Sequence, residues 1–214
     1  MKSFLIIGMG TFGHHLCRAL AEQKCEVMIV DRRGEVLEDM LPLAVSAKIG
    51  DCTNEDVLRS FDVGSFDACF VCLGDDVLAS LEVTSLLKEL GAKKVFSKAE
   101  DDIQAKFLLR NGADEIIYPE LEVATSIAVS ESSDSIFDCI RLSADYSIYE
   151  LEPLERWLGK SLKELNFRAK YDLTVIAAVK GETIRPNLGP NYVFRAEEHL
   201  LVLGRIEDIR KVIR

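Results

Sequence analysis

The first thirty-one residues contain the pattern that most constrains what this chain can fold into. A mostly apolar run, Ser3–Ile7, precedes glycines at positions 8, 10 and 13, and a second apolar run ends at Asp31. This order is typical of strand, glycine turn, helix and strand, with an acidic residue about 20 residues after the turn. Gly8 permits the turn, Gly10 lets a phosphate approach the backbone, and Gly13 lets the helix pack closely on the strand. The pattern predicts phosphates at a helix N-terminus and Asp31 on the ribose hydroxyls; the alternative is a purely structural turn.

The composition favours a globular protein with ordinary buried cores. The chain has 214 residues, of which 48% are hydrophobic, enough for one large or two small domains. Its formal net charge of −10 and its dispersed Lys and Arg argue against nucleic acid or an anionic lipid surface as a partner. Since no apolar run approaches the roughly 20 residues that cross a bilayer, we expect a cytoplasmic location without direct membrane insertion.

Six cysteines occur, but their spacing does not favour a metal site. Cys69 and Cys72 have the C-x-x-C spacing, yet they lie in an apolar run typical of a buried strand. Residues three apart on a strand point to opposite faces, so the pair is not expected to share a ligand. We interpret the cysteines as small buried residues.

Strands and helices alternate through residue 118. The apolar runs predict strands at 3–7, 27–31, 44–48, 67–73, 94–98 and 115–118, and helices at 32–40, 54–60, 77–90 and 101–110. Such alternation indicates a doubly wound parallel sheet, whose ligands bind beyond the carboxyl ends of the strands. The candidate site residues that follow strand ends are the glycines 10 and 13, Asp31, Asp51, Gly74, Asp75 and Lys98. Taken singly, Asp51 and Asp75 are equally compatible with helix capping, and Lys98 with a solvated strand end.

The pattern changes at Pro119. Residues 119–129 predict a helix with Pro at its first position and apolar residues on more than one face, which therefore requires partners. Beyond a Ser-rich boundary at 130–135, short strands are expected at 136–142, 147–151, 173–180, 182–185 and 199–204, with a last helix at 206–213. The predicted domains are 1–118, a crossover helix and linker at 119–135, and a small α+β domain at 136–214.

The ordered set of motifs resembles one family. The chain resembles the RCK (regulator of potassium conductance) proteins, the cytosolic nucleotide-binding subunits of Ktr and Trk type bacterial potassium uptake systems. The resemblance covers essentially the whole chain and is carried by residues 7–13, 50–53, 74–76, 111–114, 118–120 and 158–168. It implies a Rossmann-type N-terminal domain that binds ATP, ADP or NAD(H), and a C-terminal ligand domain.

The resemblance also implies site residues. It assigns the phosphates to Gly8, Gly10 and Gly13, the ribose to Asp31 and the adenosine pocket to Asp51 and Thr53. Together with the strand-end positions, the candidate nucleotide-binding residues are Gly8, Gly10, Thr11, Phe12, Gly13, Asp31, Arg32, Asp51, Cys52, Thr53, Gly74, Asp75, Lys98 and Glu120. Glu120 matches a glutamate near the phosphates that can help to hold a divalent cation. Many Ktr-type members have Arg at the position of Thr11, where it reaches the terminal phosphates. A hydroxyl cannot supply the charge-assisted bonds of a guanidinium, so we expect weak discrimination between ATP and ADP unless Arg32 or a neighbouring subunit compensates.

The resemblance further implies partners and a second ligand. The partners would be a membrane potassium channel or transporter subunit and further copies of this chain, forming a dimer by helix exchange and an octameric ring. The C-terminal domain resembles those that bind cyclic di-AMP in some Ktr regulators, and the candidate residues are Arg168, Ile176, Ile184 and Pro186. The alternative for these four is an ordinary dimer-interface core.

The glycine motif alone also fits an NAD-dependent oxidoreductase with an unidentified substrate. A dehydrogenase requires a positioned proton donor or acceptor facing the nicotinamide. His14 and His15 lie inside the phosphate helix and His199 begins an apolar strand, so none belongs to a recognisable catalytic set. The sequence therefore favours a regulatory protein over an enzyme.

Overall fold

The computed structural model describes residues 1–132, 135–143 and 145–213, which divide into two compact units, Met1–Glu120 and Leu121–Arg214. Ser133 and Asp134 of the predicted Ser-rich boundary lie outside the described residues. In the described part of the chain, no helix is both long enough and apolar enough to span a membrane.

The N-terminal unit is a parallel sheet with the strand order β3-β2-β1-β4-β5-β6. The change of direction between β1 and β4 is that of a doubly wound fold, which confirms the predicted class. Its strands are β1 (Ser3–Ile7), β2 (Glu26–Asp31), β3 (Ser46–Ile49), β4 (Ala68–Val71), β5 (Val95–Lys98) and β6 (Glu115–Ile117). Its helices are α1 (Thr11–Glu22), α2 (Glu55–Arg59), α3 (Val77–Glu89) and α4 (Asp102–Arg110).

The segment after β2 differs from the prediction. In place of one helix at 32–40 there are two short 3₁₀ turns, Gly34–Val36 and Glu38–Met40. The Asp31 carboxylate accepts the backbone N–H of Arg33, which forms a local turn that competes with a helix, and Gly34 has low helix propensity. The predicted α-helix at this place is therefore wrong.

The strands β1 and β4 are buried on both faces, as their apolar runs predict. Cys69 packs on one side of the sheet with Leu5 and Val95, whereas Cys72 packs on the other side with Ile6. Opposite faces exclude a shared ligand for the two cysteines. Burial raises the pKa of Cys69 and of Cys72 to about 12, so both thiols are protonated at neutral pH.

Helix α3 buries only some of its apolar residues. Val83 and Leu87 are fully buried, but Leu78 is 74% exposed. A buried Thr84–Ser97 hydrogen bond of 2.8 Å lets polar residues occupy the inner face, since both hydroxyls are paired. The apolar side chains of the first turn of α3, Val77 and Leu78, are exposed to solvent.

The C-terminal unit contains an antiparallel sheet with the strand order β10-β9-β11-β8-β7. The helix α5 (Pro119–Glu131) spans the boundary between the units. The remaining elements are β7 (Ile136–Arg141), β8 (Tyr146–Leu151), α6 (Leu162–Leu165), α7 (Phe167–Tyr171), β9 (Thr174–Lys180), β10 (Thr183–Pro186), β11 (His199–Arg205) and α8 (Ile206–Ile213). The expected strands are present, while α6 and α7 are not predicted by the strand pattern.

One face of this second sheet packs on an aromatic core. Trp157 is fully buried between Phe167, Tyr171 and Phe194, and its indole N–H donates to the Tyr171 hydroxyl at 3.0 Å. The buried indole N–H is therefore paired, as the energetics of aromatic burial require.

Candidate functional site

The carboxyl ends of β1, β2, β4 and β5 meet at one edge of the parallel sheet. The chain leaves β1 toward β2 and β3, and it leaves β4 toward β5 and β6, so a crevice opens between β1 and β4. The turn after β1 abuts the end of β4, because a Cβ atom on Gly8 would lie 2.8 Å from the carbonyl oxygen of Cys72. The sequence-predicted residues are brought together along this edge.

The three glycines of the motif meet different surroundings. Gly8 has a φ of +93°, a backbone conformation that residues with a side chain rarely adopt. A Cβ on Gly13 would overlap the carbonyl oxygen of Gly8. A Cβ on Gly10 would meet no atom within 4 Å. Folding thus accounts for Gly8 and Gly13, whereas the space beside Gly10 is open.

Helix α1 begins at this open space. Thr11 is its first residue and is exposed, and Phe12 is half-buried. No side chain caps this N-terminus, and its first turn contains no acidic residue. The first backbone N–H groups and the positive end of the helix dipole are therefore available to an anion.

Asp31 ends β2 beside the glycine turn and is 7% exposed. Its Oδ2 accepts the backbone N–H of Met9 at 2.7 Å, and its Oδ1 accepts the N–H of Arg33 at 2.9 Å. The Nε of Arg33 lies 3.4 Å from the same Oδ1. A carboxylate has more acceptor sites than these donors use, so Asp31 positions the turn and retains unused acceptor sites.

Asp51, Cys52 and Thr53 follow β3. The Asp51 carboxylate accepts the backbone N–H of Thr53 at 3.0 Å and its hydroxyl at 2.8 Å. These bonds, with the charge of Arg32, hold the pKa of Asp51 below its usual value. Asn54 caps α2, so the structure does not use Asp51 as a cap. The Cys52 side chain is buried in the core and is not available to a ligand.

Gly74 and Asp75 follow β4. Gly74 is buried and Asp75 is exposed, while Asp76 caps α3 by accepting the N–H of Ala79 at 3.1 Å. Gln104, which the sequence did not single out, accepts the N–H of Glu100 at 2.8 Å and brings its Nε2 to 3.5 Å from the Gly74 carbonyl oxygen. Its position three residues after the cap of α4, Asp101, is the only sequence signal for it.

Lys98 ends β5 and forms an ion pair with Glu120. Its Nζ lies 2.8 Å from Oε1 of Glu120 and 3.9 Å from Oε1 of Glu100, and its side chain is only 12% exposed. Partial burial lowers the pKa of Lys98, but the hydrogen bond and charge of Glu120, with the charges of Glu100 and Asp75, raise it above its usual value. The hydrogen bond from Lys98 lowers the pKa of Glu120. Lys98 is thus not a solvated strand end.

The described residues contain no group of three or more His, Cys, Asp or Glu side chains arranged to hold a metal ion. Of the histidines, His14 lies with Nε2 2.8 Å from the carbonyl oxygen of Val36, and His199 lies with Nδ1 2.9 Å from Glu150. His15 is exposed on α1. Two of the three histidines therefore have hydrogen-bond partners within the fold.

A cavity of about 390 Å³ lies in the C-terminal unit. Of the four residues proposed there from sequence, Arg168 lines it, and Ile176, Ile184 and Pro186 do not. The strand pattern missed Lys163 and Asn166, because they lie on and after the short helix α6. The wall is completed by Leu162, Phe167, Leu173, Thr174, Val175, Leu188 and Pro190.

The fold and the crevice define a two-unit protein whose N-terminal unit has the architecture of a nucleotide-binding Rossmann domain. The TrkA-N domain family matches residues 4–119, and the TrkA-C domain family matches residues 147–214. The chain is 35% identical to the Ktr system potassium uptake protein C of Bacillus subtilis, over 98% of this chain and 95% of that protein. It is 34% identical to the Ktr system potassium uptake protein A of the same organism, with the same coverage of 98% and 95%. The chain therefore belongs to the RCK family of TrkA-N and TrkA-C domain proteins.

Solved structures with low sequence identity share the fold. A structure of the GsuK RCK domain has a TM-score of 0.66 at 15% identity, covering 99% of this chain and 47% of that one. The GsuK channel bound to NAD has a TM-score of 0.68 at 15% identity, covering 97% of this chain and 38% of that one. This chain thus corresponds to less than half the length of these two structures.

Proposed function

We propose that this chain is a cytoplasmic regulatory subunit of a membrane potassium uptake system. An adenine nucleotide in the N-terminal crevice changes the shape of a homo-oligomer, which opens or closes the potassium pathway. The names of the Bacillus subtilis relatives, Ktr system potassium uptake proteins C and A, support the process. The observation that supports nucleotide binding is the open space beside Gly10 at the uncapped N-terminus of α1, where a Cβ would have no atom within 4 Å outside the neighbouring residues.

The ligand class follows from the crevice. The N-terminus of α1 is available to an anion, and Asp31 and Asp51 provide acceptors on the β2–β3 side of the switch point. ATP, ADP and NAD(H) share the adenosine and phosphate groups that these features recognise. GsuK structures bound to NAD and to ADP have the same fold, which supports this class of ligand.

Gly10→Val tests the placement of the phosphate. The branched side chain would occupy the open space, so we expect binding of ATP, ADP and NAD to be lost while the thermal unfolding of the variant stays close to that of the wild type. Gly189→Val is the matched control, since a Cβ on Gly189 also meets no atom within 4 Å. Unchanged calorimetric affinity in Gly10→Val would refute the proposed site.

Because Thr11 carries no charge, we expect the terminal phosphate to contribute little to the nucleotide affinity. We expect less than about tenfold preference between ATP and ADP, and we expect Thr11→Arg to increase it. A wild-type preference above about a hundredfold in calorimetry would contradict this expectation.

Asp31→Ala should weaken nucleotide binding by about 1.5–3 kcal/mol, as expected for hydrogen bonds to a charged group. Because the carboxylate also accepts the N–H of Met9, Asp31→Asn is the better-matched variant: it keeps an acceptor and removes the charge. Equal affinities of wild type, Asp31→Asn and Asp31→Ala would exclude a contact with the ribose.

The helix α5 supports self-association. It contains no buried residue, and Leu121, Val123 and Ile127 are about half exposed, at 47%, 59% and 56%. On α3 and α4, Leu78 and Ile103 are 74% and 69% exposed. Exchange of α5 between two copies would bury exposed apolar surface of this kind, with a gain of roughly 25 cal/mol per Å². A second contact repeated by rotation would close the dimers into a ring, which we propose has eight subunits.

Light scattering tests the assembly. We expect a dimer or larger species, and we expect Ile127→Asp to produce monomers or aggregates, because a charge would enter the buried contact. Thr125→Asp adds the same charge at an exposed polar position of α5 and should leave the assembly intact. A wild-type monomer at micromolar concentration, with or without nucleotide, would refute the exchange. If the ring responds to the ligand, its dimensions by X-ray scattering will differ between ATP and ADP.

Glu120 is proposed to help hold a divalent cation against the phosphates. It is 69% exposed and stands in the first turn of α5 beside the crevice edge. We expect Mg²⁺ to strengthen ADP binding in the wild type and to do so less in Glu120→Gln. Equal effects of Mg²⁺ on the ADP affinity of the wild type and Glu120→Gln would show that Glu120 does not bind the cation.

The C-terminal cavity is proposed to take cyclic di-AMP. Arg168 and Lys163 supply positive charge for phosphates, and Phe167, Leu188 and other apolar walls suit purine rings. We expect Arg168→Ala to lower the affinity about tenfold or more, with Arg210→Ala, an exposed cation outside the cavity lining, as control. Equal affinities of the wild type and Arg168→Ala for cyclic di-AMP would show that Arg168 does not bind this ligand.

We propose that the protein is not an enzyme. The competing oxidoreductase hypothesis has a direct test, in which the chain is incubated with NADH and assorted carbonyl compounds. Steady, substrate-dependent loss of absorbance at 340 nm would favour the enzyme, whereas we expect stable absorbance.

A further inference from the structure

A charged cluster at the end of β5 joins the crevice to the helix α5. We define the Lys98 cluster as Lys98, Glu100 and Glu120. The Lys98 ammonium is held 2.8 Å from Glu120, whose side chain is 69% exposed, while the lysine itself is largely buried. A buried cation thus has one close partner that is itself open to solvent.

The cluster continues the wall of the crevice. The turn at Gly8 abuts Cys72, and Gly74 lies two residues after Cys72. A Cβ on Gly74 would lie 3.3 Å from the Lys98 Nζ. Asp31 and Asp51 lie on the other side of the switch point, after β2 and β3. A nucleotide with its adenosine on that side and its first phosphate at Gly10 therefore directs its terminal phosphates toward β4 and β5.

We propose that Lys98 contacts the terminal phosphate of the bound nucleotide, and that Glu120 and this phosphate compete for the same ammonium. The inference rests on the proposed nucleotide binding. Thr11 offers no cation at this end of the phosphate chain, so Lys98 is the charged donor already at the crevice wall. In the structure it faces two carboxylates, Glu100 and Glu120, so the cluster carries a net negative charge that opposes an approaching phosphate.

The competition couples ligand binding to α5. Glu120 is the second residue of this helix, and its ion pair ties the start of α5 to the end of β5. A phosphate that binds the Lys98 ammonium displaces the Glu120 carboxylate. Ligand binding therefore breaks the ion pair that connects the start of α5 to the end of β5. By thermodynamic linkage, the Lys98–Glu120 ion pair weakens phosphate binding by the same free energy by which the bound phosphate weakens the ion pair.

The test compares nucleotides of increasing charge in EDTA: adenosine, AMP, ADP and ATP, each titrated calorimetrically. Glu120→Gln removes the competing charge and should strengthen ADP and ATP binding by about fivefold or more, with adenosine unchanged. Lys98→Met should weaken ADP and ATP binding by about tenfold or more, again without effect on adenosine. In the double variant Glu120→Gln should no longer strengthen binding, because the cation for which it competes is absent.

Two control variants remove the same charges elsewhere. Glu122→Gln changes an exposed carboxylate on α5, and Lys106→Met changes an exposed lysine on α4. Both should give wild-type affinities. If Glu120→Gln leaves ADP binding unchanged or weakens it in EDTA, competition is excluded. Weakening that appears only with Mg²⁺ would show that Glu120 binds a cation, without removing the strengthening expected in EDTA.

The outcomes separate this inference from the proposed function. Binding that depends on Gly10 but ignores Lys98 and Glu120 overturns the inference alone. The proposed site, and the inference with it, is overturned if the wild type binds none of the four ligands. It is also overturned if Gly10→Val binds them as tightly as the wild type does. Circular dichroism of Lys98→Met guards against misfolding, and Glu120→Gln, at an exposed position, gives an independent result if Lys98→Met fails to fold.

Discussion

The two units use their sheets in opposite ways. In the N-terminal unit all strands run in one direction, so their carboxyl ends collect Asp31, Gly74 and Lys98 at one edge, and the core below is mostly aliphatic. In the C-terminal unit the strands alternate, and the cavity forms at the start of one strand, β9, against the short helices α6 and α7 and the loop around Pro190. A parallel sheet gathers the chemistry at one edge, whereas an antiparallel sheet has no such edge.

The largest expected effect concerns the aromatic core around Trp157 in the second unit. Trp157→Ala should destabilise the C-terminal unit by about 3–5 kcal/mol, because a fully buried indole leaves a cavity, while ADP affinity of the N-terminal unit should be retained. Calorimetric unfolding and ADP titration measure the two effects. Trp157→Phe is the milder control. Loss of ADP binding in Trp157→Ala would show that the units do not fold independently.

The next effect separates two glycines within the first unit. Gly13→Ala should cost about 1–3 kcal/mol, since its Cβ would overlap the Gly8 carbonyl oxygen. Gly10→Ala should change stability by no more than about 0.5 kcal/mol, because its Cβ meets no protein atom. Urea unfolding compares them, and equal costs would contradict the division between folding and binding glycines.

A smaller effect is expected to be shared by both units. Asp62 in the first and Asn166 in the second adopt left-handed backbone, with φ of 49° and 45°. Replacement of either by Ala should cost about 1 kcal/mol, and replacement by Gly should cost less. Thermal unfolding of the four variants measures this, and an Ala variant more stable than its Gly counterpart would be inconsistent with backbone strain.

The smallest effect concerns the surface. Arg59 pairs with Glu55 on α2, and both side chains are largely exposed, at 61% and 46%. Arg59→Met should alter stability by less than about 0.5 kcal/mol, and this difference should vanish in high salt. A larger, salt-independent loss in urea unfolding would indicate that the arginine contributes packing.

Sequence reasoning predicted the first unit better than the second for physical reasons. The carboxyl ends of parallel strands are fixed by the strand assignment, so Asp31 and Lys98 could be placed at one edge from sequence alone. The Lys98–Glu120 pair could not, because it depends on where the first turn of α5 lies after β6. In the second unit, Ile176 and Ile184 were correctly placed on strands, yet the cavity depends on α6 and α7, whose few residues carry no periodic signal.

The different surroundings of the three motif glycines have a consequence for sequence change over time. Substitution at Gly8 or Gly13 is opposed by folding itself, because both sites lack room or demand a left-handed backbone. Substitution at Gly10 is opposed only by what occupies the space beside it. A descendant of this chain that had ceased to need its ligand would therefore keep Gly8 and Gly13 and drift at Gly10. That one position thus carries the record of selection for the ligand, and the other two carry the record of selection for the fold.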